Sequence, residues 1–100
     1  VNQISSEIPD GYELSQNYPN PFNPQTKIKY SIPKNSNVII KLYDVQGKEI
    51  ATLAEGMHTA GSYEINFNVN ETGSVLSSGI YFYKLITADI TLSRKMLLTK

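Results

Sequence analysis

In "GSYEINFNV", residues 61–69, the chain sets Tyr63, Ile65 and Phe67 against Ser62, Glu64 and Asn66. A period of two puts the first set on one face of an extended strand and the second on the other, so this segment predicts a strand with one dry and one wet face. The same period runs through "TKIKYSIP" (26–33), where Ile28, Tyr30 and Ile32 oppose Lys27, Lys29 and Ser31 before Pro33 ends the run. It returns in "NVIIKLYDV" (37–45) with Val38, Ile40 and Leu42, and a further strand is expected over "KEIATLA" (48–54). Between these two, "VQGKE" offers Gly47 for the left-handed position of a short hairpin turn. No window holds helical spacing. Short strands separated by Gly, Asn and Pro predict an all-β fold, an antiparallel β-sandwich.

Two further segments complete the pattern. "GIYFYKLIT" (79–87) is apolar on both phases, which predicts a central strand covered on both sides. "ITLSRKMLLTK" (90–100) is the last strand, with Arg94, Lys95 and Lys100 set among Met96, Leu97 and Leu98. Residues 1–11, polar and holding Ser5, Ser6, Pro9 and Gly11, read as a linker, leaving 12–100 as one domain. A chain of 100 residues with 40% hydrophobic content suits one modest core.

The least regular stretch is "NYPNPFNP" (17–24), with Pro19, Pro21 and Pro24 around Phe22. Proline fixes φ, donates no backbone hydrogen bond and biases its predecessor towards extended conformations, which forbids both helix and central strand here. Phe22 is then expected to plug the core while the prolines hold its backbone extended and deter pairing with other chains.

Charge and composition narrow the function. The net charge of +0 argues against nucleic acid or an anionic membrane as partner. That balance hides a gradient: residues 1–24 hold Glu7, Asp10 and Glu13 without Lys or Arg, while 84–100 hold Lys84, Arg94, Lys95 and Lys100 against Asp89. No cysteine is present, which removes disulfides, thiolate metal sites and cysteine catalysis. No apolar run has the length of a membrane span, and the first residues do not form a signal peptide. His58, in "GMHTAG", is expected in an exposed turn without a catalytic partner, and the carboxylates are scattered singly, so no enzyme, metal site or cofactor is expected. Of the seven tyrosines, Tyr30, Tyr63 and Tyr81 fall on core phases, and among those on the expected strands Tyr43 and Tyr83 are left as surface rings for a carbohydrate-binding alternative.

Taken in order, "LSQNYPNPFNPQTKIKYSIP", "VIIKLYDVQGKEIATLAEG", "AGSYEINFN", "LSSGIYFYKLITAD" and "RKMLLTK" resemble the type A C-terminal sorting domain of the type IX (Por) secretion system over residues 14–100. The resemblance implies an immunoglobulin-like sandwich of about seven strands that directs its parent protein across the periplasm and through the outer-membrane translocon, for release or attachment at the cell surface of Bacteroidota-type bacteria. It implies a translocon or shuttle component as partner, and a sortase-like cysteine peptidase that cuts near the N-terminal linker, around Ser5 to Asp10. Gly79, Tyr81 and Leu85 match its "GxYxxxL" element, and Pro19, Pro21, Phe22, Pro24 and Gly47 its structural positions. Lys95, Met96, Leu97, Leu98 and Lys100 match its terminal element, where recognition by the translocon is expected. The "NVNETGSV" loop (68–75) departs from the shorter glycine-rich loop of many members and is expected to vary. An extracellular module for adhesion or carbohydrate binding is the alternative reading.

Overall fold

The computed structural model describes residues 1–73 and 75–100, so within the "NVNETGSV" loop Ser74 lies outside the described residues. Among the described residues eight strands are present: β1 (Asn2–Ser5), β2 (Glu13–Leu14), β3 (Gln25–Ile32), β4 (Ser36–Tyr43), β5 (Glu49–His58), β6 (Gly61–Asn68), β7 (Gly79–Ile86) and β8 (Thr91–Leu98). They form two antiparallel four-stranded sheets in the orders β1-β6-β3-β2 and β5-β4-β7-β8. Lettered as in immunoglobulin-like sandwiches, β2, β3 and β6 are A, B and E on one sheet, and β4, β7 and β8 are C, F and G on the other. The corner of that topology is present as well: the Tyr81 hydroxyl, near the start of β7, donates to the Ser77 carbonyl at 2.6 Å.

The alternating residues do what their period requires. Ile28, Tyr30 and Ile32 of β3 and Tyr63, Ile65 and Phe67 of β6 meet Val38, Ile40 and Leu42 of β4 and Tyr81, Tyr83 and Leu85 of β7 in one core. Met96 and Leu98 of β8 complete it. Asp44 closes the β4–β5 hairpin by accepting from the amides of Gln46 and Lys48 through Oδ1, both at 2.9 Å. Gly47 then takes φ of 85°, the left-handed position expected of it, where a side chain would be strained.

Three expectations are corrected. β7 is central in its sheet but is covered on one side only: Tyr81, Tyr83 and Leu85 are buried, whereas Ile80 is 41% exposed and Phe82, Lys84 and Ile86 are half-buried on the outer face. Residues 1–11 are more than a linker, because Asn2–Ser5 pair antiparallel with β6 through main-chain groups. Their side chains are mostly exposed, so no apolar phase marks the strand. His58 ends β5 instead of sitting in an exposed turn. Its Nδ1 lies 3.1 Å from the Gly56 carbonyl, which only accepts, so Nδ1 donates there and Nε2 accepts from the Tyr30 hydroxyl at 2.8 Å. The Tyr63 ring, 4.6 Å away edge-on, completes the cluster.

Gly61 allows β1 to dock. A Cβ built there would lie 2.5 Å from the Ser5 carbonyl oxygen, and its φ of 151° disfavours side chains in any case. Gly61→Ala is therefore expected to release Asn2–Ser5 from β6 while the remaining strands stay paired. Hydrogen exchange checks this: faster exchange confined to the β1–β6 ladder is the expected outcome, and unchanged protection there contradicts it.

Candidate recognition surface around the C-terminal strand

β8 pairs with β7 on one side, and its other side is not an open edge. Residues 14–22 run alongside it in parallel: Arg94 Nε donates to the Leu14 carbonyl at 2.8 Å, and Gln16 Nε2 to the Lys95 carbonyl at 2.6 Å. Further along, the Leu97 amide donates to Asn20 Oδ1 at 3.0 Å, the Phe22 amide to the Leu97 carbonyl at 3.0 Å, and the Thr99 amide to the Phe22 carbonyl at 3.0 Å. The proline stretch is thus a clip. Tyr18 exchanges both backbone bonds with Lys27 of the first sheet, and four residues later Phe22 bridges to Leu98 of the second.

The prolines fit this job because the positions that must donate to a neighbouring strand, Tyr18 and Phe22, are not prolines. The peptide bonds preceding Pro19, Pro21 and Pro24 are cis. Pro19 and Pro21 are exposed, Pro24 is half-buried and its carbonyl accepts from the Val69 amide at 3.1 Å, and Phe22 is 2% exposed with its ring centroid 6.0 Å from that of Phe67. The core plug expected from the sequence is in place. Unforeseen is the grip of the Phe22 backbone on β8.

Beneath the clip lies a polar network that periodicity does not reveal. Asn17 is buried, its Nδ2 donates to the Pro19 carbonyl and to Thr26 Oγ1, each at 3.1 Å, and its Oδ1 accepts from Gln16 Nε2 at 2.7 Å. Its amide donates to the Tyr83 hydroxyl at 2.8 Å, which in turn donates to the Ser15 carbonyl at 2.6 Å. Tyr83 is 0% exposed, so it is no surface ring. Burial pushes its phenol up to about 12, against a smaller downward pull from the Asn17 amide and Arg94. The signal in the sequence was the Asn before a proline run, but a buried amide and a turn amide look alike at that level.

The five terminal positions divide. Met96 and Leu98 point into the core at 1% and 0% exposure, so they are not contact residues of the folded domain, a correction to the expectation that all five are read together. Lys95, Leu97 and Lys100 face outward, and the Lys100 amide is tied to Ser78 Oγ at 3.0 Å. Gly79 opens β7 with φ of 149°, and Leu85 is wholly buried. Among the described residues no helix is long and apolar enough to cross a membrane.

A family model described as "Secretion system C-terminal sorting domain" matches residues 16–99. No curated protein and no solved structure matches the chain.

Proposed function

This chain belongs to the family of secretion system C-terminal sorting domains, and from that premise we propose how its folded end is read. The domain is a sorting signal of type IX secretion, it interacts with that secretion system, and it serves export to the cell surface or the medium. The finer reading is that a translocon or shuttle component contacts Lys95, Leu97 and Lys100, while Met96 and Leu98 hold the strand that displays them. What supports it is the clip: β8 is bonded on both sides, so its outward residues are presented on a fixed backbone and binding costs little ordering entropy.

We place cutting by a sortase-like cysteine peptidase in the exposed connection between β1 and β2, where Ser6, Glu7, Ile8, Asp10 and Gly11 are exposed. A protease needs an extended, accessible backbone, which this segment offers and the paired strands do not. The domain acts as a signal and not as a catalyst. The carbohydrate-binding alternative is not favoured, since one of its two rings, Tyr83, lies in the core.

The test reverses charge without removing the strand. Lys95→Glu with Lys100→Glu changes two exposed side chains, so stability is expected to shift by only about 0.5 kcal/mol for each. A reporter fused ahead of residues 1–100 is expected to stall inside cells when it carries both changes, with the purified domain melting normally. Export at the unsubstituted level by a stably folded double variant removes Lys95 and Lys100 from recognition.

A further inference from the structure

The two outer faces of the sandwich differ in kind. On the first sheet β3 and β6 present Gln25, Lys27, Lys29, Ser31, Ser62, Glu64, Asn66 and Asn68, an ordinary wet face with a Lys27–Glu64 contact at 3.7 Å. On the second, β4, β7 and β8 contain no Asp or Glu and present an apolar row instead. Ile39 lies opposite Ile86, Tyr43 opposite Phe82, and Ile80 opposite Leu97. Cations are set into that row: Lys95 is cross-strand from Phe82, and Lys41 is directly opposite Lys84. Like charges facing each other across a ladder are unfavourable, and only Lys41 has an acidic partner, Glu49 at 2.7 Å. Lys84 rests over the Tyr43 ring, 4.9 Å from its centroid, and neither it nor Lys95 is in an ion pair among the described residues.

We propose that the outer face of β7 and β8, built from Ile80, Phe82, Lys84, Lys95 and Leu97, docks on a protein surface that sets carboxylates beside apolar side chains. This rests on the sorting reading above and says which face is read and by what chemistry. Strand addition at β8 is excluded because residues 14–22 already occupy that edge. A face remains. The arrangement is that of an interface core, with an aromatic and two aliphatic side chains in the middle and cations at their border awaiting counter-charges. A lipid surface fits less well, since segments that bind anionic membranes cluster about four to eight cations and this face has two unpaired ones.

The experiment uses the reporter fusion with two variants, each checked by thermal melting of the purified domain: Ile80→Ser with Lys84→Glu, and Lys27→Glu with Lys29→Glu on the first sheet. The unsubstituted fusion is expected to be exported, and its export to fall about tenfold or more in the Ile80/Lys84 variant, the effect of losing an anchor and reversing a charge beside it. The first-sheet variant is expected to export normally. Normal export of a folded Ile80/Lys84 variant overturns the proposal and leaves the sorting function intact, whereas failure of the unsubstituted fusion overturns the sorting reading itself. Binding of the unsubstituted domain to phosphatidylglycerol vesicles at physiological salt, lost in the Ile80/Lys84 variant, replaces the protein partner with a membrane and also overturns it.

Discussion

Replacing Phe22 with alanine is expected to destabilise the domain by roughly 3–5 kcal/mol, the range for emptying a large aromatic from a packed core. The side chain is 2% exposed and its ring meets Phe67 of β6, so its removal leaves a void between the two sheets. Total stabilities of single domains are about 5–15 kcal/mol, so the loss takes a large part of the whole. The backbone of the same residue accepts from Thr99 and donates to Leu97, and its anchoring ring is what fixes those groups against β8. The amides of residue 22 and Thr99 are therefore expected to lose exchange protection at lower denaturant than those of β8. Urea denaturation with amide exchange measures both. A loss under about 1 kcal/mol contradicts the core-plug role, and exchange of these two amides in step with β8 contradicts the coupling between ring and clip.

Much of this arrangement was legible in the sequence. Strands with one wet face announce themselves, and β3, β4 and β6 lie where Ile28, Val38 and Tyr63 and their alternating neighbours put them. β7 misled because an apolar residue on the second phase has two physical meanings: coverage by another layer, or a face kept for a partner. Ile80 and Phe82 carry the second meaning in the reading proposed here, and composition cannot tell the two apart. Phe22 was readable as a plug, but its main-chain partners were not, since Leu97 and Thr99 lie some 75 residues away and backbone bonding leaves no trace in side-chain type. β1 was invisible for a related reason: it joins β6 by main-chain bonds through polar, exposed residues, and its one sequence mark is Gly61 on the partner strand. Asn17 and His58 failed differently. Asn17 is buried and His58 half-buried, and their polar side chains are tolerated there because partners elsewhere in the fold meet them, Thr26 for one and Tyr30 for the other.

The buried tyrosines also set a limit on the fold's pH range, and the direction follows from which form is buried. Tyr83 is fully buried as a neutral phenol, donating to the Ser15 carbonyl and accepting from the Asn17 amide, and burial raises its pKa from 10.0 to about 12. Tyr30 moves in the same direction, first through burial and then through the neighbouring Tyr63. In the unfolded chain both phenols lose their protons near the ordinary value, while in the folded chain they keep them, so between these values the folded state holds more protons. Folded-state preference for the protonated form means that the stabilisation is complete below about pH 10 and declines as pH rises towards and through the folded value. Two units correspond to on the order of 2–3 kcal/mol for Tyr83 alone. Denaturation midpoints are expected to be flat from about pH 7 to about pH 9.5 and to fall steeply above that. Tyr83→Phe separates this cause from general alkaline repulsion. It leaves the Ser15 carbonyl without its donor and costs about 1–3 kcal/mol at neutral pH, yet it removes one of the two phenols whose pKa burial raises, so it is expected to lose less stability than the unsubstituted domain on going to about pH 11.5. An equal alkaline loss in both proteins would show that Tyr83 does not govern the limit.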